Sequence, residues 1–349
     1  LIKYSRGLAS GLRRFGGLVK LMPYSERLFL TELFNAAVSA ADPKTALSCF
    51  LPVKPKGRTV VIGAGKGAAQ LAAAFEELWE GPLSGVVVTR YGFTAPCQHI
   101  KVLEASHPVP DAAGLVASAA LFEAVRDLGP DDLVVALICG GGSSLLPAPV
   151  VGLSLDDEIA LNKALLASGA PISAMNIIRQ QISQIKGGQL ARAAAPAKVV
   201  SLIVSDVPGD DPAQVASGPT VGGANGPADA LAAIRTYDIK LPSNIQSFIE
   251  SLPHTSHEAA QLAGNEVHII ASASKSLEAA AKVAAAHGIP AVILSDAIEG
   301  EAREIAKMHA AIAAQIADSD RPFSAPVVVL SGGETTVTLV GPGGRGGRN

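Results

Sequence analysis

Cys139-Gly140-Gly141-Gly142-Ser143-Ser144 is the stretch whose residue types point most directly to chemistry. Three consecutive glycines cost conformational entropy and weaken any element that contains them. They suit a place where backbone must come close to a ligand and present a nest of N–H donors to phosphate oxygens. Ser143 and Ser144 add hydroxyl donors. An apolar run, Leu133–Ile138, leads straight into the glycines, which sets them apart from an ordinary flexible surface loop.

A second glycine-rich turn, Gly63-Ala64-Gly65-Lys66-Gly67-Ala68, follows the apolar run Thr59–Ile62. Gly63, Gly65 and Ala68 fit the dinucleotide fingerprint, but a nicotinamide site also needs an acid about 20 residues on to hold the ribose. The next strand here ends Val88-Thr89-Arg90, without one. The Walker pattern fails as well, because no Ser or Thr follows Lys66. What remains is a lysine at a helix N-terminus, where ammonium, N–H groups and helix dipole would converge on one anion. The alternative is a tight turn carrying a solvated lysine.

Asn176, Arg179 and Ser183 recur at helical spacing and would share one face of a helix expected over Ser173–Ala193. Lys186 and Gly187-Gly188 follow. Such a face could hold a carboxylate or phosphate through the planar guanidinium, or be a solvated surface. Further on, Asp206 ends a strand in Ser205-Asp206-Val207-Pro208, where a carboxylate could ligate Mg²⁺ or act as a base. Asp210 and Asp211 are expected to cap a short helix. His107, in the Pro-rich turn Glu104–Asp111, is expected to be structural.

These residues need strand ends to carry them. Short Val/Ile/Leu runs alternate with Ala-rich helical stretches, the βαβ pattern. Strands are expected at Thr59–Ile62, Gly85–Thr89, Lys101–Glu104, Leu133–Ile138 and Val199–Val204. A second set is expected at Val267–Ala271, Ala291–Leu294, Val327–Leu330 and Thr335–Val340. Expected helices include Lys66–Leu78, Asp111–Leu128, Leu155–Ala167, Ser274–Ala286 and Glu299–Ile316, with Ser154 and Asp157 forming a capping box. The fold class is therefore α/β: a Rossmann-like, doubly wound parallel sheet followed by a second, mixed α/β unit. The expected division is a basic extension (1–30), the first domain (31–240) and the second (241–349). Prolines 227, 242 and 253 mark the change of character between the two domains.

Composition narrows the function classes. Hydrophobic residues make up 48% of the 349 positions but aromatics only 4%, the Ala/Val/Leu/Ile mix that fills helix-covered parallel sheets. A net charge of −3 with interspersed signs offers no basic face for nucleic acid. No apolar run reaches the roughly 18 residues of a membrane span. Cys49, Cys97 and Cys139 lie too far apart for a disulfide framework or zinc site, and a cytoplasmic setting is expected. The basic stretch from Lys3 to Arg27 reads as a leader extension or, alternatively, a mitochondrial presequence. The terminal Gly343-Gly344-Arg345-Gly346-Gly347-Arg348-Asn349 reads as a functional loop cut short, so a truncated chain is expected.

Taken in order, GAGK, HPVPD, CGGGSSLL, MNIIRQQISQIKGGQLA, SDVPGDDPAQVASGPT and SGGETTV…GRGGRN resemble the type II glycerate kinases. The resemblance covers about Leu33 to Asn349. Members of that family carry a C-terminal MOFRL domain and are sometimes labelled hydroxypyruvate reductases. The resemblance implies phosphorylation of D-glycerate at its 2-hydroxyl with ATP and Mg²⁺, and glycerate as the small-molecule partner; a homodimer is left open. It makes Lys66 the active-site lysine and Arg345 or Arg348 its partner across a cleft that closes on the substrates. Gly63, Gly65 and Gly140–Ser144 become phosphate contacts. Asn176, Arg179, Lys186, Ser217, Thr220 and Glu334 become substrate contacts, and Asp206 the magnesium ligand or the group that orients the glycerate hydroxyl. The chain departs from the family pattern at Cys139 (Ser in the family), Ser144 (Ala) and Ala174 (Glu). An NAD(P)H-dependent reductase and an inactive nucleotide-binding fragment are the competing readings.

Overall fold

A computed structural model of the chain describes residues 26–223, 225–253, 262 and 264–338. By contacts these fall into two compact units, one of residues 43–270 and one joining 26–42 to 271–338. The division differs from the expected boundary near residue 240.

The larger unit opens with the short helix Pro43–Ser48 and is built on a six-stranded sheet. Its strands are β1 (Thr59–Ala64), β2 (Ser84–Arg90), β3 (Ile100–Ala105), β4 (Leu133–Cys139), β5 (Lys198–Val204) and β6 (Glu266–Ala271). Their spatial order, β3-β2-β1-β4-β5-β6, is the doubly wound arrangement, and the neighbours from β3 through β5 pair in parallel. β1 and β4 are buried at every position, which is why they read as unbroken apolar runs. The Val267–Ala271 run, expected in the second strand set, instead forms the edge of this first sheet.

Helix Ala68–Leu78 buries Leu71 and Phe75, and helix Ala112–Ala124 buries Ala117 and Leu121 against Ile62, Val88 and Ile138 of the sheet. A second core within the unit joins Leu161 and Leu165 of helix Leu155–Ser168 to Ile178, Ile234, Ile245 and Ile249. That helix begins with the expected capping box: the Ser154 hydroxyl accepts from the Asp157 N–H, and the Asp157 carboxylate accepts from the Ser154 N–H.

The expected helix Ser173–Ala193 is two helices, Ile172–Gln181 and Gln189–Ala193. Between them Ser183 pairs with Pro149 as an isolated bridge, and Gly187 and Gly188 adopt φ of 65° and 82°. Ser183 therefore leaves the face shared by Asn176 and Arg179. The first helix stops at Gln181, where the chain turns to the Pro149 bridge, and Gly188 at positive φ sets the start of the second.

In the smaller unit, helix Glu26–Ala40 sets Phe29 and Leu33 against Leu277, Ala280 and Ala284 of helix Ala273–Ala286. Ala291–Ile293 pairs in parallel with Val328–Leu330, and Gly300–Glu301 with Thr335–Thr336, the latter two strands flanking helix Ala302–Ser319 in the chain. Residues 339 and 340 of the expected last strand lie outside the described residues.

One carboxylate ties the starts of the two central strands. Asp132 accepts from the N–H groups of Arg58 and Gly129 (2.6 and 2.8 Å) and from the Arg58 guanidinium (3.0 Å). The Gly129 and Arg58 backbone bonds, helped by the guanidinium, hold its pKa down to about 2. A carboxylate depressed in the folded state stabilises it fully above the unfolded pKa of about 4 and loses that contribution as pH falls through about 2. Asp132→Asn is thus expected to lower stability at pH 7 and to flatten the stability loss between pH 4 and pH 2. Urea unfolding at pH 7, 4 and 2.5 measures both; parallel wild-type and variant curves would contradict the assignment.

Candidate active site

In a doubly wound sheet, ligands bind beyond the carboxyl ends of the strands, where the strand order reverses. That reversal lies between β1 and β4, and both glycine-rich turns start there.

The two turns do different work. In the first, the backbone donors are already used: Gly65 N–H goes to the Val88 carbonyl, Lys66 N–H to the Gly140 carbonyl at 2.9 Å, and Gly67 N–H to the Cys139 sulfur at 3.2 Å. Its glycines serve close packing. A Cβ on Gly63 would stand 2.5 Å from the Leu137 carbonyl oxygen, and one on Gly65 would stand 2.3 Å from that of Cys139. Gly63 and Gly65 are accordingly corrected from phosphate ligands to packing positions. The turn still delivers the Lys66 side chain to the site.

In the second turn, Gly141 has φ 80° and opens the single-turn helix Gly142–Leu145. Among the described residues, the N–H groups of Gly141, Gly142 and Ser143 meet no protein acceptor, as is usual for the first turn of a helix. Charged side chains crowd this loop. A Cβ on Gly140 would fall 1.8 Å from Asp206 Oδ2. One on Gly141 would stand 2.8 Å from Lys66 Cε and 3.0 Å from His107 Nε2. Only glycine admits these three groups so close to the backbone.

Cys139 underlies the loop, fully enclosed, and burial pushes its thiol up to about 12, with the Gly67 N–H and Lys66 opposing and Asp206 adding to the rise. It remains a neutral thiol that accepts a hydrogen bond, and it is no nucleophile.

The first-turn packing, the open N–H groups and the converging lysine and carboxylate form a setting for a phosphorylated ligand. Comparison with known proteins names relatives of the chain as a whole. A family described as a domain of unknown function (DUF4147) matches residues 29–250. Glycerate 2-kinase of Pyrococcus horikoshii is 38% identical over 334 residues, 91% of this chain and 76% of the relative. The crystal structure of glycerate kinase from Thermotoga maritima superposes with a TM-score of 0.79 at 35% identity, over 92% of this chain and 77% of that one. The chain belongs to the glycerate kinase family. A protein of Agrobacterium vitis with the provisional name of a hydroxypyruvate reductase is 53% identical over 327 residues, 93% of this chain and 74% of its own.

The remaining expected site residues of this glycerate kinase family member sort into three groups. Asn176, Arg179 and Ser217 join the loop through a buried polar chain: Ser143 Oγ lies 2.9 Å from Ser217 Oγ, which donates to Asn176 Oδ1 at 3.0 Å. Arg179 donates to the same Oδ1 at 3.0 Å and to Asn162 Oδ1 at 2.7 Å. Burial lowers the guanidinium pKa, opposed by Glu158. Ser144 turns back to donate to the Gly141 carbonyl at 3.2 Å, so its hydroxyl braces the loop.

Two expected substrate contacts are corrected. Lys186 is 1% exposed; its ammonium donates to Glu158 at 2.6 Å and to the Leu146 carbonyl at 3.0 Å. Thr220, also buried, bonds Ser201 of β5 at 2.7 Å. Neither is open to a small substrate. Glu334 sits exposed before strand Thr335–Thr336 in the smaller unit, and Arg345 and Arg348 lie outside the described residues.

His107 was the residue that sequence reasoning set aside. Its place just after β3 was the available signal, since strand ends in this topology face the ligand. Asn162 and Gln214, which complete the polar chain, carried none.

Removing one member of a buried ion pair strands the other, at about 3–5 kcal/mol. Lys186→Met should therefore destabilise the protein by about that much in urea unfolding, with Glu158→Leu in the same chain recovering part of it. A loss below about 1 kcal/mol, the range of exposed pairs, would mean that Lys186 is not committed to the fold.

Proposed function

We propose that this chain transfers the terminal phosphoryl group of ATP to D-glycerate, giving 2-phosphoglycerate and ADP. The observation that carries the reading is the convergence of Lys66, Asp206 and the open N–H groups of Gly141, Gly142 and Ser143 on one loop at the sheet's switch point, in a member of the glycerate kinase family.

Phosphoryl transfer asks a protein mainly for positioning and charge neutralisation. The bond between a glycerate oxygen and phosphorus forms as the bond from phosphorus to the ADP oxygen breaks, and the hydroxyl proton is released. The glycine-loop N–H groups and the Lys66 ammonium would neutralise the phosphate oxygens. Arg179, after the withdrawal of Lys186, is the cation assigned to the glycerate carboxylate.

Asp206 would repel a phosphate seated beside it unless a cation stood between them. Among the described residues no group of three or more His, Cys, Asp or Glu could hold a metal. One carboxylate nonetheless fits Mg²⁺, which keeps several waters and takes one or two protein carboxylates plus phosphate oxygens. Bound there, the ion would neutralise charge developing on the phosphates.

A reductase reading has one supporting residue, Arg90 at the end of β2, the place where an arginine can receive an NADP 2′-phosphate. Arg90 lies over the Phe93 ring at 3.4 Å, and the neighbouring Thr89 hydroxyl is bound to the Lys66 carbonyl.

Two assays on the same preparation separate the readings: ADP release with D-glycerate, and oxidation of NADH or NADPH with hydroxypyruvate. Glycerate-dependent ADP release is expected. Lys66→Ala should cut its kcat/KM by about 10²–10³-fold, the range for losing one preorganised charge-stabilising donor. Unchanged kcat/KM would remove Lys66 from the mechanism, and nicotinamide oxidation alone would replace the kinase reading. Gly140→Ala, whose methyl must displace Asp206, should abolish turnover while leaving a folded protein by circular dichroism.

A further inference from the structure

The hydrogen-bond chain behind the glycine loop has a direction that can be fixed from its far end. The Asn176 side-chain nitrogen donates to the Gln214 carbonyl at 3.1 Å, and a backbone carbonyl can only accept. The other end of the amide is therefore the oxygen, as its bond from the Arg179 guanidinium requires, since guanidinium only donates. An amide oxygen cannot donate, so the bond between Asn176 Oδ1 and Ser217 Oγ uses the single proton of Ser217. The proton between Ser217 and Ser143 must then belong to Ser143. What Ser143 has left for a ligand is lone pairs.

From this we infer that Ser143 accepts a hydrogen bond from a hydroxyl of glycerate, and does not donate to phosphate as its type and position suggest. The inference rests on the kinase reading above. Phosphate and carboxylate oxygens are acceptors that a lone pair repels. Of the acceptor-substrate groups, the carboxylate carries no proton at neutral pH, and the glycerate hydroxyls are those that can donate one. Ser143 is half-buried and can touch substrate; Ser217 and Asn176, 1% and 2% exposed, cannot, and act as positioning residues.

The backbone supports a built arrangement. Ala216 and Ser217 have φ of 52° and 61°, in the left-handed region that L-residues seldom occupy. Ser217 is held there by two donors to its carbonyl, Gly187 N–H at 3.1 Å and Gln180 Nε2 at 3.2 Å. Strain maintained by surrounding bonds characterises sites where a side chain must be aimed. Here the aimed group is the Ser217 hydroxyl, which holds the Ser143 proton away from the ligand.

The test measures ADP release by the full chain, varying D-glycerate at saturating ATP and then ATP at saturating D-glycerate. Ser143→Ala is expected to lower kcat/KM for glycerate about tenfold, the loss of one hydrogen bond, with KM for ATP within about twofold. Ser143→Thr, which keeps the hydroxyl, should recover most of the activity, as a purely structural role for the small side chain would not. Should Ser143→Ala prove unstable, Ser143→Cys, of similar size and a weak acceptor, takes the same measurement with the same expectation. A raised KM for ATP with glycerate kinetics unchanged would overturn the inference and make Ser143 a phosphate donor, as would wild-type kinetics in both directions. A wild-type chain that releases no ADP with glycerate overturns the kinase reading and this assignment together, whereas the preceding outcomes leave the kinase reading standing.

Discussion

The close approach of β1 and β4 at the sheet's centre governs the rest of the site. With no side chain on Gly63 or Gly65, the first turn lies directly on the Leu137 and Cys139 carbonyls, and the N–H groups of Lys66 and Gly67 bond to Gly140 and Cys139. Two consequences follow from that seam. The first turn becomes rigid and loses its donors, so it contributes a side chain and no nest. The second turn gives its Gly140 carbonyl to that seam, and among the described residues Gly141, Gly142 and Ser143 keep their N–H groups unspent. Which of two similar glycine motifs can hold an anion is thus decided by which one donates its backbone to the other.

The polar residues behind the loop show a similar division of labour. Lys186 and Glu158 form an enclosed ion pair whose partners include the Leu146 carbonyl and the Ala148 N–H, so it fixes the segment that follows the glycine loop. Arg179, Asn176 and Ser217 form a second chain that ends on the loop itself. Both are satisfied networks, the form in which buried polar groups specify a unique arrangement. One supports the site from beneath and the other sets the proton on Ser143.

Much of the sheet was legible because central parallel strands are buried on both faces and read as plain apolar runs. β1, β2, β4 and β5 lie within a residue or two of their expected bounds. The helix over Ser173–Ala193 failed because its apolar spacing continues through Ile182 and Ile185, whereas the chain leaves the helix at Gln181 to form the Pro149 bridge and restarts only after Gly188. The sequence pattern marked the strand ends on which Lys66, Gly140–Ser144 and Asp206 stand, but it did not show that Lys186 and Thr220 are buried against protein partners. A lysine or threonine beside a glycine pair looks like a ligand in sequence, and nothing local reveals a glutamate 28 residues away or a serine on β5, 19 residues back.

By itself the sequence determined the α/β class, the strand ends that carry Lys66, Gly140–Ser144 and Asp206, and the family resemblance. These rest on local pattern: apolar runs, glycine spacing and motif order. Tertiary structure alone decided which glycines pack and which keep their N–H groups clear of protein acceptors among the described residues, which cations are buried, that His107 joins Lys66 at Gly141, and which partner the Ser143 hydroxyl meets. The reason is that donors, acceptors and charges are shared between segments distant in the chain. Ser143 owes the direction of its proton to Asn176, Gln214 and Ser217, and no reading of the residues next to it contains that information.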